Sequence, residues 1–522
     1  MSIEPVRRRR DRTPCLLFPE LYERGGGLAR AIQERASLYA RHYEHVVLLT
    51  TGYSPRIEEV VASLKERGSL DERVVVRNFF LHSSWVRGLG APAAAARALP
   101  GQPDVISKRQ RMPGGAFFRI ADRHPEDRHP YGYRYFDADG RLLVSTLTSP
   151  GSKHEQRATV HAPQPRQLNW GTIVADWVDE ELAELHRPVL FSLQRGFNDP
   201  VLLASTRPVR KVASLHNCHY TDPEDPASGI RPVFRPLLAS RRSVDEIVCL
   251  TEQQRRELEQ DAPDARFRAI PYPGRPPRRP APDKDLSLVV LVAQLIDRKR
   301  VDHAIRAFAL VTAAHPDARL EIYGEGPAEP ALRRLVDDLG LPGSVSLMGY
   351  SLEVDQAQAR AACTLMTSTF EGFARVISES MSLGTPVIAY DVRYGPRDLI
   401  RNEVDGLLVA RQEPEALAAA IVRLLDDPAA AVAMGRRASE VLTRFPVDPF
   451  ERAWLDVVTR RSSAAELVGS VLRRSDVARR LRRRLRAAVA GTRRPLPVAQ
   501  PGMPAEAAAP EAPLPDLATA ER

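Results

Sequence analysis

The chain has 522 residues, of which 43% are hydrophobic and 27% charged. That is more than one ordinary core accommodates, and it leaves room for two or three domains and a tail. No apolar run approaches the roughly 20 residues that span a bilayer, which argues against an integral membrane protein. Seventy-five Lys and Arg against 66 Asp and Glu give a formal net charge of +9, a balance that favours an anionic partner without naming it.

The first segment, MSIEPVRRRRDRTPCLLF, has a basic start but only a short apolar stretch. It runs into strand-like sequence with no small-residue cleavage site, so it is not read as an export signal. Cys15, Cys218, Cys249 and Cys363 are far apart and form no C-x-x-C pair, so reduced, buried thiols in a cytoplasmic protein are expected rather than a disulfide framework or a zinc site.

CLLF, the glycine-rich turn ERGGGLAR opening a helix, HVVLLT, a helix from Ile57 to Glu66 and RVVVRNFF begin an α/β pattern. From about Trp85 to Trp170 it gives way to Ala-rich sequence and then to short alternating segments such as FFRIADR and YRYFDADGRLLVSTL. These predict an antiparallel insertion with a hairpin at Asp139-Gly140. PVLFSL, VRKVASLHN and DEIVCLTE resume the α/β rhythm up to Pro271, where PYPGRPPRRPAPDKD reads as a linker. A first Rossmann-like domain is therefore predicted over 1–280, with a β-rich insertion at about 85–170.

From Leu286, strand-like runs such as LSLVVLVAQL, LEIYGEG, CTLMTST and PVIAYDV alternate with helical patterns. They predict a second Rossmann-like domain over 281–445, with a parallel sheet covered on both faces and its ligand beyond the carboxyl ends of the strands. Residues 446–491 are predicted to be helical. Within them Ala478, Leu481, Leu485 and Val489 form an apolar stripe among six arginines. This helix fits an anionic membrane surface or polymer, and equally a solvated helix packed on its own protein. The Pro- and Ala-rich remainder, 492–522, is predicted to be disordered.

The stretch TFEGFARVISESMSLGTPVIAYDV holds Glu371 and Glu379 eight positions apart, across the predicted start of a helix that Gly384 ends. In a helix that spacing separates two carboxylates by up to about 12 Å, too far for joint action on one bond and suited to two contacts along an elongated ligand. The amides of Gly372, Phe373 and Ala374, placed at the helix start, would meet a phosphate between them. Glutamates favoured by the helix dipole or simply exposed explain the same pattern without a ligand.

The motif E-G-F, seven residues on a second Glu, and then G-T-P-V-I-A-Y-D resembles the signature of the family-four retaining glycosyltransferases, which have the GT-B fold. The continuation YDVRYGPRDLI is similar to the poly(glycerol-phosphate) alpha-glucosyltransferases of teichoic acid synthesis and to related bacterial protein O-glycosyltransferases. The resemblance runs from Cys15 to about Arg460. It implies two Rossmann-like domains facing a cleft, with Glu371 orienting the donor sugar and Glu379 the ribose. It also implies a basic pair on the diphosphate after the first strand of the second domain. Lys299 matches that pair, but Gln294 stands where Arg is expected, so that either a neighbour such as Arg298 or Arg300 substitutes or activity is reduced.

The resemblance places Gly324, Gly26 and Gly27 around the donor; a tight turn or a helix cap accounts for such glycines as well. It implies one histidine against the donor sugar. His216 and His219 both fit, with His219 preferred; as satisfied loop histidines they would have no such role. Asp137 and Asp139 are read as part of a hairpin rather than a metal-binding D-x-D.

The expectation is a metal-independent hexosyltransferase with no cofactor beyond its nucleotide-sugar co-substrate. It would move glucose or N-acetylglucosamine from a UDP-sugar to a teichoic acid-like polyol-phosphate polymer, with retention. The alternatives are a protein O-glycosyltransferase and a non-catalytic binding subunit. No nucleic-acid partner is expected. Peripheral contact with the inner face of the membrane through the basic helix, and a homo-oligomer, are both compatible with the sequence.

Overall fold

The computed structural model describes residues 9–460, apart from 24–25, 53, 55, 84–105, 112–117, 125–129, 137–141, 149–154, 161–165, 197, 278, 281 and 411. The predicted Asp139-Gly140 hairpin, the Asp137–Asp139 motif, Gly25, the basic helix and the tail lie outside the described residues.

Two parallel sheets and one antiparallel sheet make up the described structure. The first sheet contains β1 (Thr13–Phe18), β2 (Val46–Thr50), β3 (Val74–Asn78), β10 (Pro188–Ser192), β11 (Arg210–Ser214), β12 (Glu246–Cys249) and β13 (Phe267–Ala269), in the order β13-β12-β11-β10-β1-β2-β3. The second contains β14 (Asp285–Val292), β15 (Arg319–Tyr323), β16 (Val345–Gly349), β17 (Ala361–Met366), β18 (Val387–Tyr390) and β19 (Gly406–Val409), in the order β16-β15-β14-β17-β18-β19. Their central strands are buried on both faces, as the continuous runs CLLF, VVLLT and AACTLM require. Strand order reverses between β1 and β10 and between β14 and β17. A parallel sheet opens a ligand crevice at such a reversal, outside the carboxyl ends of the strands.

The predicted insertion is an antiparallel meander of β4 (Ile106–Arg111), β5 (Phe118–Arg123), β6 (Gly132–Phe136), β7 (Leu142–Thr148), β8 (Glu155–Val160) and β9 (Arg166–Asn169). It is anchored where Tyr135 stacks on Trp170, with centroids 6.2 Å apart, and tilts against Phe80 at 4.7 Å.

The two parallel sheets share one apolar cluster. Tyr272 meets Phe373 at 5.6 Å and Phe450 at 6.1 Å, and Phe373 meets Phe445 at 6.4 Å. The chain crosses between the halves twice, and the crossings touch: Gly274 N donates to Phe445 O at 2.9 Å. After the second crossing, the helix Val447–Thr459 returns to the first sheet rather than standing with a separate helical tail. There Trp454 is fully buried against Phe191, Arg35 stacks 3.4 Å over its ring, and Arg210 Nε donates to Val457 O at 2.9 Å. No helix among the described residues is long and apolar enough to cross a membrane.

Candidate functional site

The reversal between β14 and β17 brings two predicted residues together. Lys299 lies in the one-turn helix Asp297–Lys299 after β14, and Glu371 lies in the loop after β17. Thr369 N donates to Arg298 O at 2.9 Å and Thr367 Oγ1 to Lys299 O at 2.7 Å, so one backbone and one side-chain donor bind the second loop to the carbonyls of the first. On this frame Lys299 Nζ donates to Glu371 Oε1 in a part-buried ion pair, and Arg298 Nη1 stands 3.6 Å from the same oxygen. Burial pushes the Glu371 carboxyl up, but the charges of Lys299 and Arg298 outweigh it and hold the group below its usual value.

The helix after this loop is Arg375–Ser382, and Gly384 follows it with φ +71°, as expected. Its start corrects the sequence reading. Ala374 is left-handed, with φ 60° and ψ 63°, so Gly372, Phe373 and Ala374 precede the helix instead of forming its first turn. Their amides donate to no described group, which keeps them available to an anion as loop donors, without the helix register assumed from sequence. The Phe373 side chain is 2% exposed and faces Tyr272, so it serves the core shared by the two halves.

At Gly372 the two halves approach closely. A Cβ on it would stand 2.2 Å from the carbonyl oxygen of His216, so only glycine allows this approach. His216 Nδ1 lies 3.4 Å from Tyr272 Oη, and its buried Nε2 has no partner. Burial first, and then Arg35, Arg195 and Arg375, hold the imidazole well below its usual pKa. The structure places His219, the residue preferred from sequence, away from any free contact. That side chain is fully buried, with Nε2 3.1 Å from Asp261 Oδ2 and Nδ1 3.2 Å from Tyr394 Oη. Both ring nitrogens are occupied within the protein, and Tyr394 Oη donates to Glu257. His216 is the member of the pair with a free nitrogen.

Glu379 is about one-third exposed and borders two cations, Arg375 at 3.5 Å and Arg30 at 3.9 Å. Arg375 went unnoticed in the sequence. It links the halves by donating to Glu34 Oε1 at 3.0 Å and Gly27 O at 3.4 Å. Gly26 and Gly27 are exposed at the start of the helix Gly27–His42, and an ideal Cβ on Gly26 would lie 3.2 Å from Gln294 Nε2. Gln294 is itself exposed, so the glycine loop and the substituted position face each other across the cleft.

The two proposed stand-ins for an arginine at 294 point elsewhere. Arg298 donates to Phe370 O at 3.0 Å, and Arg300 is held by His303. Gly324 is not turned to a ligand on its free side: with φ +139°, its missing Cβ is replaced by Ala293 O, 1.8 Å from the ideal position. Among the described residues no group of three or more His, Cys, Asp or Glu side chains is placed to hold a metal ion.

Residues 277–441 match the family of glycosyl transferases group 1. Three curated relatives show related sequences. An exopolysaccharide phosphotransferase of Streptomyces coelicolor is 37% identical over 244 residues, covering 46% of this chain and 26% of that protein. A poly(glycerol-phosphate) alpha-glucosyltransferase of Bacillus subtilis is 27% identical over 283 residues, covering 51% and 42%. A poly(ribitol-phosphate) alpha-N-acetylglucosaminyltransferase of Staphylococcus aureus is 22% identical over 249 residues, covering 48% and 50%. The chain thus spans between 26% and 50% of the lengths of these relatives.

Among solved structures, a point mutant of S. aureus TarM in complex with fondaparinux, alpha-GlcNAc-glycerol and UDP superposes with a TM-score of 0.69 at 16% identity, covering 86% of this chain and 100% of the other. The pneumococcal O-GlcNAc transferase GtfA in complex with UDP and GlcNAc superposes with a TM-score of 0.63 at 15% identity, covering 86% and 99%. The chain has the GT-B fold, and within it residues 277–441 are similar to the glycosyl transferases group 1.

Proposed function

We propose that the protein is a retaining glycosyltransferase that moves glucose or N-acetylglucosamine from a UDP-sugar to a polyol-phosphate polymer of the teichoic acid kind, without a metal or other cofactor. The observation that carries this reading is the Lys299–Glu371 pair beside the unpartnered amides of Gly372 to Ala374, at the strand-order reversal of the second sheet.

In this reading the bond between the sugar's anomeric carbon and the diphosphate breaks, with its electron pair leaving on the diphosphate oxygen. The acceptor hydroxyl oxygen bonds that carbon on the same face, and its proton goes to the departing diphosphate. Lys299 and the loop amides offset the growing charge, the work a metal does elsewhere. Lys299 exchanges part of its contact with Glu371 for phosphate, and the freed carboxylate accepts from sugar hydroxyls. His216, with a free Nε2 and a neutral ring, borders the reacting face from the opposite half. Glu379 takes the ribose diol.

Support for donor and acceptor comes from what the similar proteins are named for: polymers of glycerol phosphate and ribitol phosphate in two relatives, and UDP in both structural neighbours. The phosphotransferase shares only 26% of its length with this chain, and the site here offers donors for a leaving diphosphate. A second reading, transfer to protein, is favoured by the likeness to the O-GlcNAc transferase GtfA.

The test is transfer of labelled sugar from UDP-glucose and UDP-N-acetylglucosamine to poly(glycerol phosphate), poly(ribitol phosphate) and a Ser-rich polypeptide. Label in either polymer is expected. Label only in the polypeptide selects the second reading. Neither binding nor hydrolysis of either UDP-sugar makes the chain a binding subunit, the role that Gln294 would suit.

A further inference from the structure

Phe370, the residue before Glu371, lies against two guanidinium groups that arrive from opposite halves of the molecule. Arg231, in the loop between β11 and β12, places its Cζ 5.0 Å from the ring centroid; Arg298, after β14, places its Cζ at 5.1 Å. Arg298 has an acidic neighbour in Glu371, at 3.6 Å. Arg231 has none. Its side chain donates only to the neutral Cys218 carbonyl, at 3.4 Å, and no carboxylate among the described residues lies within ion-pair distance of it.

Charge around Phe370 is therefore unbalanced. Arg231 and Arg298 both lie against Phe370, and Glu371, the carboxylate next to it in the chain, is already shared by Arg298 and Lys299. Partial burial weighs first against the charged form of Arg231, and the like charge of Arg298 adds to it. Two cations gathered in a crevice of reduced dielectric repel unless an anion enters. A guanidinium resting on an aromatic ring keeps in-plane N–H groups for a phosphate, which it can grip through two bonds.

We propose that Arg231 and Arg298 form a phosphodiester subsite for the acceptor polymer, one cation from each half, on the Phe370 side of Glu371. The polymer's phosphate would be held across the closed cleft, and the hydroxyl of the neighbouring polyol unit would be presented to the donor sugar. This rests on the acceptor class assigned under Proposed function.

The experiment uses the full chain and two direct binding measurements, calorimetry with UDP and fluorescence anisotropy with a labelled glycerol phosphate oligomer over a range of salt concentrations. Arg231→Gln is expected to weaken oligomer binding about tenfold and to flatten its salt dependence, with UDP affinity shifted by less than about twofold. Arg231→Lys, which keeps the charge and the stem, is expected to fall between Gln and wild type, and it guards against a folding defect in the first variant. Unchanged oligomer binding in Arg231→Gln overturns the subsite, as does an equal loss of UDP affinity, which would assign the arginines to the donor diphosphate. Wild-type protein that takes no UDP-sugar overturns the transferase reading instead, and the oligomer titration still decides the subsite.

Discussion

Lys299 and Glu371 neutralise one another across the strand-order reversal of the second sheet, in a crevice where Glu371 is only 8% exposed. A buried carboxylate of this kind is kept ionised by its partner, and removing either member leaves the other uncompensated. Glu371→Gln and Lys299→Ala are each expected to lower transfer by about 100-fold or more. Because they share one interaction, the double variant should lose much less than the product of the two. Steady-state rates for the four proteins of the cycle check this, and full additivity would mean that the two side chains act independently.

Gln294 faces the glycine loop in the open part of the cleft, where the family pattern expects a guanidinium. Gln294→Arg should tighten UDP binding by about tenfold, since a charge-assisted bidentate contact replaces a neutral amide. Calorimetric titration with UDP reads this out. No gain would mean that the diphosphate does not pass position 294.

Gly372→Ala tests the approach of the two halves. Its Cβ would enter the space of the His216 carbonyl, 2.2 Å away, and backbone on both sides leaves little room for adjustment. The variant is expected to lose about 1–3 kcal/mol of stability and nearly all transfer, while each half keeps its secondary structure. Chemical denaturation followed by far- and near-ultraviolet circular dichroism separates these effects. Wild-type activity in the variant would show that the cleft works in a more open form.

Acid should destabilise the fold through His216 and His219. The pKa of His216 is depressed by burial and three arginines, and that of His219 by burial in spite of Asp261. In the range below 6.5, the unfolded chain then binds more protons than the folded one, so stability rises with pH and is lost as pH falls through the folded values. His216→Asn should make the unfolding free energy less steep below pH 6.5 by up to about 1.4 kcal/mol per pH unit, the contribution of one proton. Urea titrations at a series of pH values check this, and an unchanged slope would place His216 in a more solvated state.

The two sheets were legible in the sequence because their strands are continuous apolar runs separated by helical patterns; Glu371 and Glu379 stood out by their local spacing, and Lys299, 72 residues away from Glu371, only by the family resemblance. The arrangement around them was not. Ala374 takes a left-handed conformation that no residue preference announces, and it moved the helix start to Arg375. His219 looked like a cleft histidine until Asp261 and Tyr394, 42 and 175 residues away in sequence, were seen to hold it. The pairing of Arg375 with Glu34 spans 341 residues and leaves no periodic trace. Gln294 alone announced itself, as a departure from a pattern.

The return of the Val447–Thr459 helix to the first sheet has a consequence for recombining this chain with others. The half that carries β14–β19 is inserted, in sequence, into the half that carries β1–β3 and β10–β13, with seams near Gly274 and Phe445 that hydrogen-bond to each other. A chimera that exchanges the second half must be cut at both seams and keep Trp454 with Arg35 and Phe191. A single cut in the linker would import a foreign final helix and leave the first half without its own closing element.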